Sequence, residues 1–376
     1  MRTPIDKARR VRDLLALSVA ALAMVFLYGG IDYRAAPFSG WDLRSYLAMA
    51  EAAPGLARGV PRPFVYRLLG PYIVGLMPLR EPVGFRLLTL LTTLVLVFLF
   101  YGYLASEGVR ARARRTTCAL LILNRNLIGY NVWIYFQVDD MLSLVYVLVL
   151  LWSLKSQHWA IWGVTLLLGA ATRETALLMV PVAALYLWDR RAARVRWHAL
   201  AVSCIPALSL FLLLRWLVPS GGGMGLLQSL AVHSRKLASA ESWYRLIVNP
   251  FIPLSFLPLI YLGETRAFLA RNRHLLLLTV LVFVSALFGQ NDERLMAPAF
   301  IVFYPLIAQI IERSLVERRA ALVVVLTCAF LPSPHHQMAR FPLPSRSLTV
   351  ILSLSSLVVV TAIAAWHKWS SVGPPD

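Results

Sequence analysis

Residues 159–188 read WAIWGVTLLLGAATRETALLMVPVAALYLW, an apolar run interrupted by charge only at Arg173 and Glu174. As one α-helix it would be roughly 45 Å long and would cross a bilayer, whose hydrocarbon core is about 30 Å thick, a single time. As two helices meeting at Ala171-Thr172-Arg173-Glu174 it would cross twice. The choice orients everything downstream. A single crossing puts the basic clusters at Arg190–Arg196, Arg266–Arg273 and Arg313–Arg319 on the side opposite Lys7–Arg12 and Arg110–Arg115; two crossings put all five together, as the positive-inside rule requires. The sequence therefore predicts a break at Arg173 between helices of roughly 20 and 24 Å, too short for the full hydrocarbon thickness, with the junction recessed near the outer face.

The flanking sequence has the same character. Of 376 residues, 59% are hydrophobic and 15% charged, and the mean hydropathy is +0.68, far more apolar surface than one soluble core needs. Apolar segments at 14–30, 84–105, 116–136, 141–154, 159–171, 173–188, 198–217, 247–263, 274–289, 295–311, 320–331 and 347–366 predict an all-α polytopic transmembrane bundle of about 12 helices. It forms a single integral membrane domain over 1–376, multi-pass in a cytoplasmic (inner) membrane, with N- and C-termini cytoplasmic. The first segment resembles a signal peptide but lacks a persuasive cleavage site and is read as a retained helix.

A net charge of +19 suggests nucleic acid in a soluble chain, but here it follows from sidedness. In the two-crossing topology 21 of the 37 Lys+Arg and 8 of the 18 acids are cytoplasmic, giving +13 on that side and +6 elsewhere. No nucleic-acid partner is needed. Cys118, Cys204 and Cys328 lie inside apolar segments without metal or redox spacing and read as small core residues.

Two external segments are long enough to fold on the membrane surface. In the first external loop, 31–83, Leu43, Tyr46, Leu47 and Ala50 recur at helical spacing, as in an interfacial helix. The second, 220–249, opens on Gly221-Gly222-Gly223 and continues through Leu226, Leu230, Leu237 and Trp243, a connector and amphipathic stretch suited to a lid. The glycines lack the Lys-Ser/Thr ending of a phosphate loop.

An ionised acid near lipid is costly and tends to be paired or functional. Asp42 follows the first helix, Asp139 and Asp140 join the third and fourth, Glu174 sits at the split, and Asp292 and Glu293 join the ninth and tenth. All of these lie on the outer side, with Arg173 and Arg294 beside two of them, which predicts one polar cavity there. Each residue also has a plainer role: Asp42 or Asp139-Asp140 as helix N-caps, Arg173-Glu174 and Asp292-Glu293-Arg294 as structural ion pairs. Arg125, between Asn124 and Asn126, either ties helices together or lines the cavity. His335-His336 reads as a solvated turn, since adjacent side chains seldom both reach one ion.

This layout resembles the GT-C superfamily of membrane glycosyltransferases, which use polyprenyl-phosphate-linked sugars. The match lies in Gly40-Trp41-Asp42-Leu43-Arg44-Ser45-Tyr46 after helix one, Gln137-Val138-Asp139-Asp140 between helices three and four, and Pro63-Phe64-Val65-Tyr66-Arg67-Leu68-Leu69-Gly70-Pro71. Thr172-Arg173-Glu174-Thr175 and Asp292-Glu293-Arg294 are similar to bacterial members of the envelope-glycan type. The chain departs in having Trp-Asp where the best-known members have an Asp-Glu pair, and in lacking a soluble C-terminal domain. Donor sugar, acceptor and metal dependence stay open.

The resemblance implies transfer of a sugar from a polyprenyl-phosphate donor to a glycan, lipid or protein acceptor, on the outer side of the membrane and with inversion. Such a reaction needs a base at the acceptor hydroxyl and cations at the departing phosphate. Asp42 is the candidate base. Arg173 and Arg294, with Arg67 and Arg245 in reserve, are the candidate phosphate ligands. Asp139 or Asp140 would bind sugar hydroxyls or help hold a divalent cation, Mg or Mn, and Glu174 and Glu293 would orient the arginines. The alternatives are a transporter or flippase of a lipid-linked or small polar substrate, and a non-catalytic subunit of an envelope-glycan complex. Against transport, these acids gather at helix ends rather than at the bilayer midplane.

Overall fold

A computed structural model describes residues 4–33, 41–218, 221–222, 226–287, 289 and 291–371. Gly40 of the first-loop motif, Ser220 and Gly223 lie outside the described residues, among which there is no strand. In chain order the helices are α1 (Pro4–Tyr28), α2 (Leu43–Ala52), α3 (Leu69–Gly75), α4 (Glu81–Ser106), α5 (Ala111–Leu123), α6 (Tyr130–Trp133) and α7 (Val138–Ser156). Then come α8 (Trp159–Thr172), α9 (Met179–Asp189), α10 (Arg194–Leu217), α11 (Leu226–His233), α12 (Ala240–Trp243) and α13 (Leu257–Ile260). The last are α14 (Leu262–Arg271), α15 (Arg273–Ala286), α16 (Asp292–Leu295), α17 (Phe300–Ile310), α18 (Arg319–Phe330) and α19 (Arg346–Ser371).

The stretch 159–188 is broken where its charges sit. Helix α8 ends at Thr172, Arg173 is extended (φ −163°, ψ 144°), and a 3₁₀ turn over Glu174–Leu178 leads into α9. The returning chain passes so close that a Cβ on Gly169 would lie 2.4 Å from the Ala176 Cβ. The backbone groups freed by the break find partners: Arg173 N–H donates to Gly169 O at 2.8 Å, and Ala171 O accepts from Leu68 N–H of the first loop at 2.9 Å. Helix α8 packs between α7 and α10, and α9 packs on α15.

Five segments are long and apolar enough to cross a membrane: Ala8–Tyr28, Glu81–Ser106, Arg194–Leu217, Ala297–Leu315 and Arg346–Ser370. The pair α14–α15, bent by 101°, makes a sixth if taken as one broken span, and α8 and α18 are shorter apolar helices. The protein is thus a helical bundle with several potential spans, fewer of them full-length than the dozen segments of the sequence reading.

Two of those segments depart from it. The helix expected over 247–263 is replaced by short turns and α13, because Pro250, Pro253 and Pro258 each remove a backbone donor and an interior proline costs about 3 kcal/mol. The helix expected over 116–136 stops at Leu123. There the Asn124 side chain accepts from Asn126 and Leu127 N–H (2.9 and 2.8 Å), competing with helix continuation and starting a π-helical turn over Arg125–Gly129.

The two ends of the bundle differ in chemistry. At one end the basic helix termini are tied together: Arg115 to Asp13 (3.2 Å), Lys155 to Glu107 (2.8 Å), Arg110 to Glu312 (3.2 Å) and Arg273 to Asp189 (3.5 Å). At the opposite end α3 packs on α2, α7 and α8, over a smaller apolar cluster that includes Tyr46, Phe85, Tyr135 and Phe136.

Candidate active site

At that second end, helix α2 sits as the spacing predicts, with Leu43, Tyr46 and Ala50 buried beneath it and Leu47 half-buried. Asp42 occupies the N-cap position, yet its side chain makes no capping hydrogen bond. It turns instead to the bundle, where Oδ2 accepts from Gln137 Nε2 at 2.9 Å. Gln137 is in turn held by Arg294, whose Nη1 donates to its Oε1. One amide thereby links the first-loop acid to an arginine more than 250 residues away in sequence.

Arg294 also approaches Asp140, with Nε 3.3 Å from Oδ2, while Arg173 Nη1 donates to Asp140 Oδ1. Two cations on one carboxylate at the N-terminus of α7, both Asp140 (3% exposed) and Arg173 (6%) buried, form a charged cluster that survives burial because its members are paired. Arg67 lies 3.8 Å from Glu174, which also accepts from Arg215 Nη2 at 2.8 Å. Arg215 stacks over Tyr66 (4.7 Å) and Phe211 (3.4 Å), which fixes its plane.

Not every residue singled out in the sequence joins this cluster. Asp139 is fully buried and faces the first loop: its Oδ1 accepts Gly70 N–H at 3.0 Å. The approach is so tight that a Cβ on Gly70 would fall 2.4 Å from that oxygen, so Asp139 secures α3 rather than facing a substrate. Asp292 is engaged by Lys236, which also donates to Gly289 O (2.9 Å) and Ala286 O (2.5 Å). Glu293 receives both Nε and Nη2 of Arg245 (2.9 and 3.0 Å) and Nδ2 of Asn249 (2.9 Å). Asp292, Glu293 and Arg245 therefore anchor the second loop to α16. Arg125 ties helices together through Ser353 (2.7 Å) and Asn249 (2.8 Å). His335 and His336 stack on each other at 4.2 Å in the turn before α19, and His336 Nδ1 lies 3.2 Å from Thr349 Oγ1.

Gln137, Arg215 and Lys236 were not assigned roles from the sequence. Gln137 stands two residues before the Asp139-Asp140 doublet and Arg215 is a lone cation in the last turn of the apolar α10, signals that could have found both; Lys236 offered none.

The electrostatics separate the carboxylates. Burial pushes the Asp42 carboxyl above the ordinary aspartate value of 3.8, and the positive charges of Arg294 and Arg67 pull it part of the way back. Asp42 is half-buried and reachable, whereas Asp140 is already spoken for by two guanidiniums. Arg67 Nε and Asp139 Oδ2 are buried without a hydrogen-bond partner among the described residues, while Arg294 Nε and Asp140 Oδ2 meet each other as an ion pair.

Among the described residues no three His, Cys, Asp or Glu side chains converge. Positive charge around Asp42 and Asp140 comes from Arg67, Arg173, Arg215 and Arg294. No protein-family model, no curated protein and no solved structure matches the chain.

Proposed function

We propose that this protein is a multi-pass membrane glycosyltransferase of the GT-C type, which moves a sugar from a polyprenyl-phosphate donor to an envelope glycan, lipid or protein acceptor. In this reading the basic end of the bundle is cytoplasmic, and about a dozen segments, several short or broken, cross or re-enter the inner membrane. The observation that carries it is a half-buried carboxylate, Asp42, joined through Gln137 to an arginine cluster at one end of the helical bundle.

The chemistry runs as a single displacement. Asp42 accepts the proton of the acceptor hydroxyl as that oxygen bonds to the anomeric carbon from the face opposite the phosphate. The bond from the anomeric carbon to the phosphate oxygen breaks, its electron pair leaves with the lipid phosphate, and configuration inverts. Arg294 and Arg67 stabilise the charge gathering on that phosphate, since a planar guanidinium meets phosphate oxygens with two parallel hydrogen bonds. Arg173 and Asp140 act as positioning residues, as do Glu174 and Arg215. A buried carboxylate with two cation partners fixes where Arg294 points.

The test is reconstitution of the full chain in detergent with a short-chain prenyl-phosphate sugar, read with mass spectrometry of envelope glycans from cells with and without the protein. Sugar transfer without an ion gradient supports the proposal. Unchanged glycans together with gradient-dependent movement of a substrate would replace it with the transport reading.

A further inference from the structure

Away from the arginine cluster, a cleft of about 600 Å³ opens on the outer surface between α1 and α4. Its floor is apolar and exposed: Phe26 is 57% exposed and Leu87 38%, on two of the segments able to cross a membrane. Its head is the Gly29–Gly30 turn, with a guanidinium beside each glycine. A Cβ on Gly29 would lie 3.9 Å from Arg340 Nε, and one on Gly30 would lie 3.3 Å from Arg86 Nη2. Both arginines are exposed, and each stacks on a ring, Arg86 over Tyr135 at 4.6 Å and Arg340 over Phe26 at 4.1 Å. Stacking fixes the guanidinium planes, and among the described residues no carboxylate lines the cleft.

An apolar trough ending in two oriented guanidiniums is complementary to an amphiphile with one anionic head. The cleft also adjoins the candidate active site across one wall. Trp133 lines it, and the Trp133 ring packs edge-on at 6.2 Å against Trp41, the residue before Asp42. We infer that this cleft is the lateral entry for a prenyl phosphate, with the chain along Phe26 and Leu87 and the phosphate between Arg86 and Arg340, on its way to Asp42. The inference rests on the lipid-phosphate reading above. The shared tryptophan wall favours a substrate lipid over a bulk phospholipid, which would have no reason to adjoin the site.

The experiment is native mass spectrometry of the full chain in detergent, titrated with farnesyl monophosphate against phosphatidylglycerol as competitor. The Arg86→Gln/Arg340→Gln variant should bind the prenyl phosphate at least about tenfold more weakly, having lost two charge-assisted contacts. Asp42→Asn should bind it as the wild type does. Leu87→Trp, which fills the trough from an outward-facing position, gives a second reading if the double variant folds poorly, and should weaken binding comparably. Wild-type affinity in whichever variants fold, or displacement of the prenyl phosphate by an equal concentration of phosphatidylglycerol, overturns the assignment. Arginine-dependent binding in a protein that transfers no sugar would overturn the enzymatic reading and leave the cleft intact; transfer with arginine-independent binding would do the reverse.

Discussion

Asp140 is held between two arginines from different parts of the chain, Arg173 on Oδ1 and Arg294 with its Nε 3.3 Å from Oδ2. Helix α7, the α8–α9 break and α16 thus converge on one buried carboxylate. Removing one partner from such a cluster leaves an uncompensated charge, which costs about 3–5 kcal/mol, whereas replacing the group with apolar side chains is often close to neutral. Asp140→Leu, which strands both guanidiniums, should therefore lower thermal stability in detergent steeply, and Arg173→Met with Arg294→Met in the same chain should restore much of it. Equal melting temperatures for Asp140→Leu and the wild type would mean that the cluster contributes nothing to stability.

The break at Arg173 was legible in the sequence because a topological rule and a length rule both demanded it: a straight 159–188 would have inverted three basic clusters. In the structure Asp13, Glu107, Glu312 and Asp189 join basic termini at one end of the bundle. Pairing was not legible. Nothing in local sequence tells Asp139 from Asp140, yet one secures Gly70 and the other two guanidiniums, because consecutive residues on a helix point about 100° apart and a hydrophobic pattern does not say which face meets which loop. The misplaced helix at 247–263 has a local cause. Its hydropathy is that of a span, but three prolines prevent a continuous ladder, and composition alone had outweighed them.

Two glycines should respond in opposite directions to alanine. At Gly70 the new methyl would collide with Asp139 Oδ1 at 2.4 Å and Val138 Cγ1 at 2.8 Å, so Gly70→Ala should cost about 1–3 kcal/mol by overpacking. At Gly263, in the first turn of α14 with open space around the ideal Cβ, alanine should stabilise through helix propensity by less than the roughly 1 kcal/mol of a helix interior. Thermal melts of the two variants in one detergent check both. A Gly70→Ala protein as stable as the parent would mean that α3 does not seat on Asp139.

The raised pKa of Asp42 has consequences of defined sign for both activity and stability. A base works when ionised, so transfer should rise with pH along a limb lying above the ordinary aspartate value of 3.8. Arg294→Gln removes the strongest opposing charge and should move that limb to higher pH. For stability, the folded chain binds this proton more tightly than the unfolded chain. The contribution is fully present below the unfolded value and lost as pH rises through the folded one. Asp42→Asn should abolish transfer and flatten that part of the stability profile, and a transfer rate that keeps the wild-type pH limb in Arg294→Gln would dissociate the two residues.

The second loop is fastened by charge at two points, Lys236 with Asp292 and Arg245 with Glu293. Lys236 is the stronger clamp, because one ammonium satisfies two backbone carbonyls as well as a carboxylate. Lys236→Met should leave Asp292 buried and unpaired and speed proteolysis within residues 226–248, while Arg245→Met, at a more exposed pair, should change it little. Identical cleavage rates for the two variants would show that the loop is held by its apolar contacts instead.

Sidedness is open to direct labelling because Cys118, Cys204 and Cys328 are all buried, so an introduced cysteine reports with little background. Ser239, exposed between the 3₁₀ turn Ser234–Ala238 and α12, belongs to the end that carries Asp42 and Arg245. Ser314 belongs to the basic end, one residue from Arg313 and two from Glu312, which Arg110 engages. If the basic end is cytoplasmic, a membrane-impermeant maleimide added to intact cells should label Ser239→Cys and spare Ser314→Cys until the membrane is opened. The reverse pattern would place the arginine cluster in the cytosol, where an outward-facing transfer reaction has no access to it.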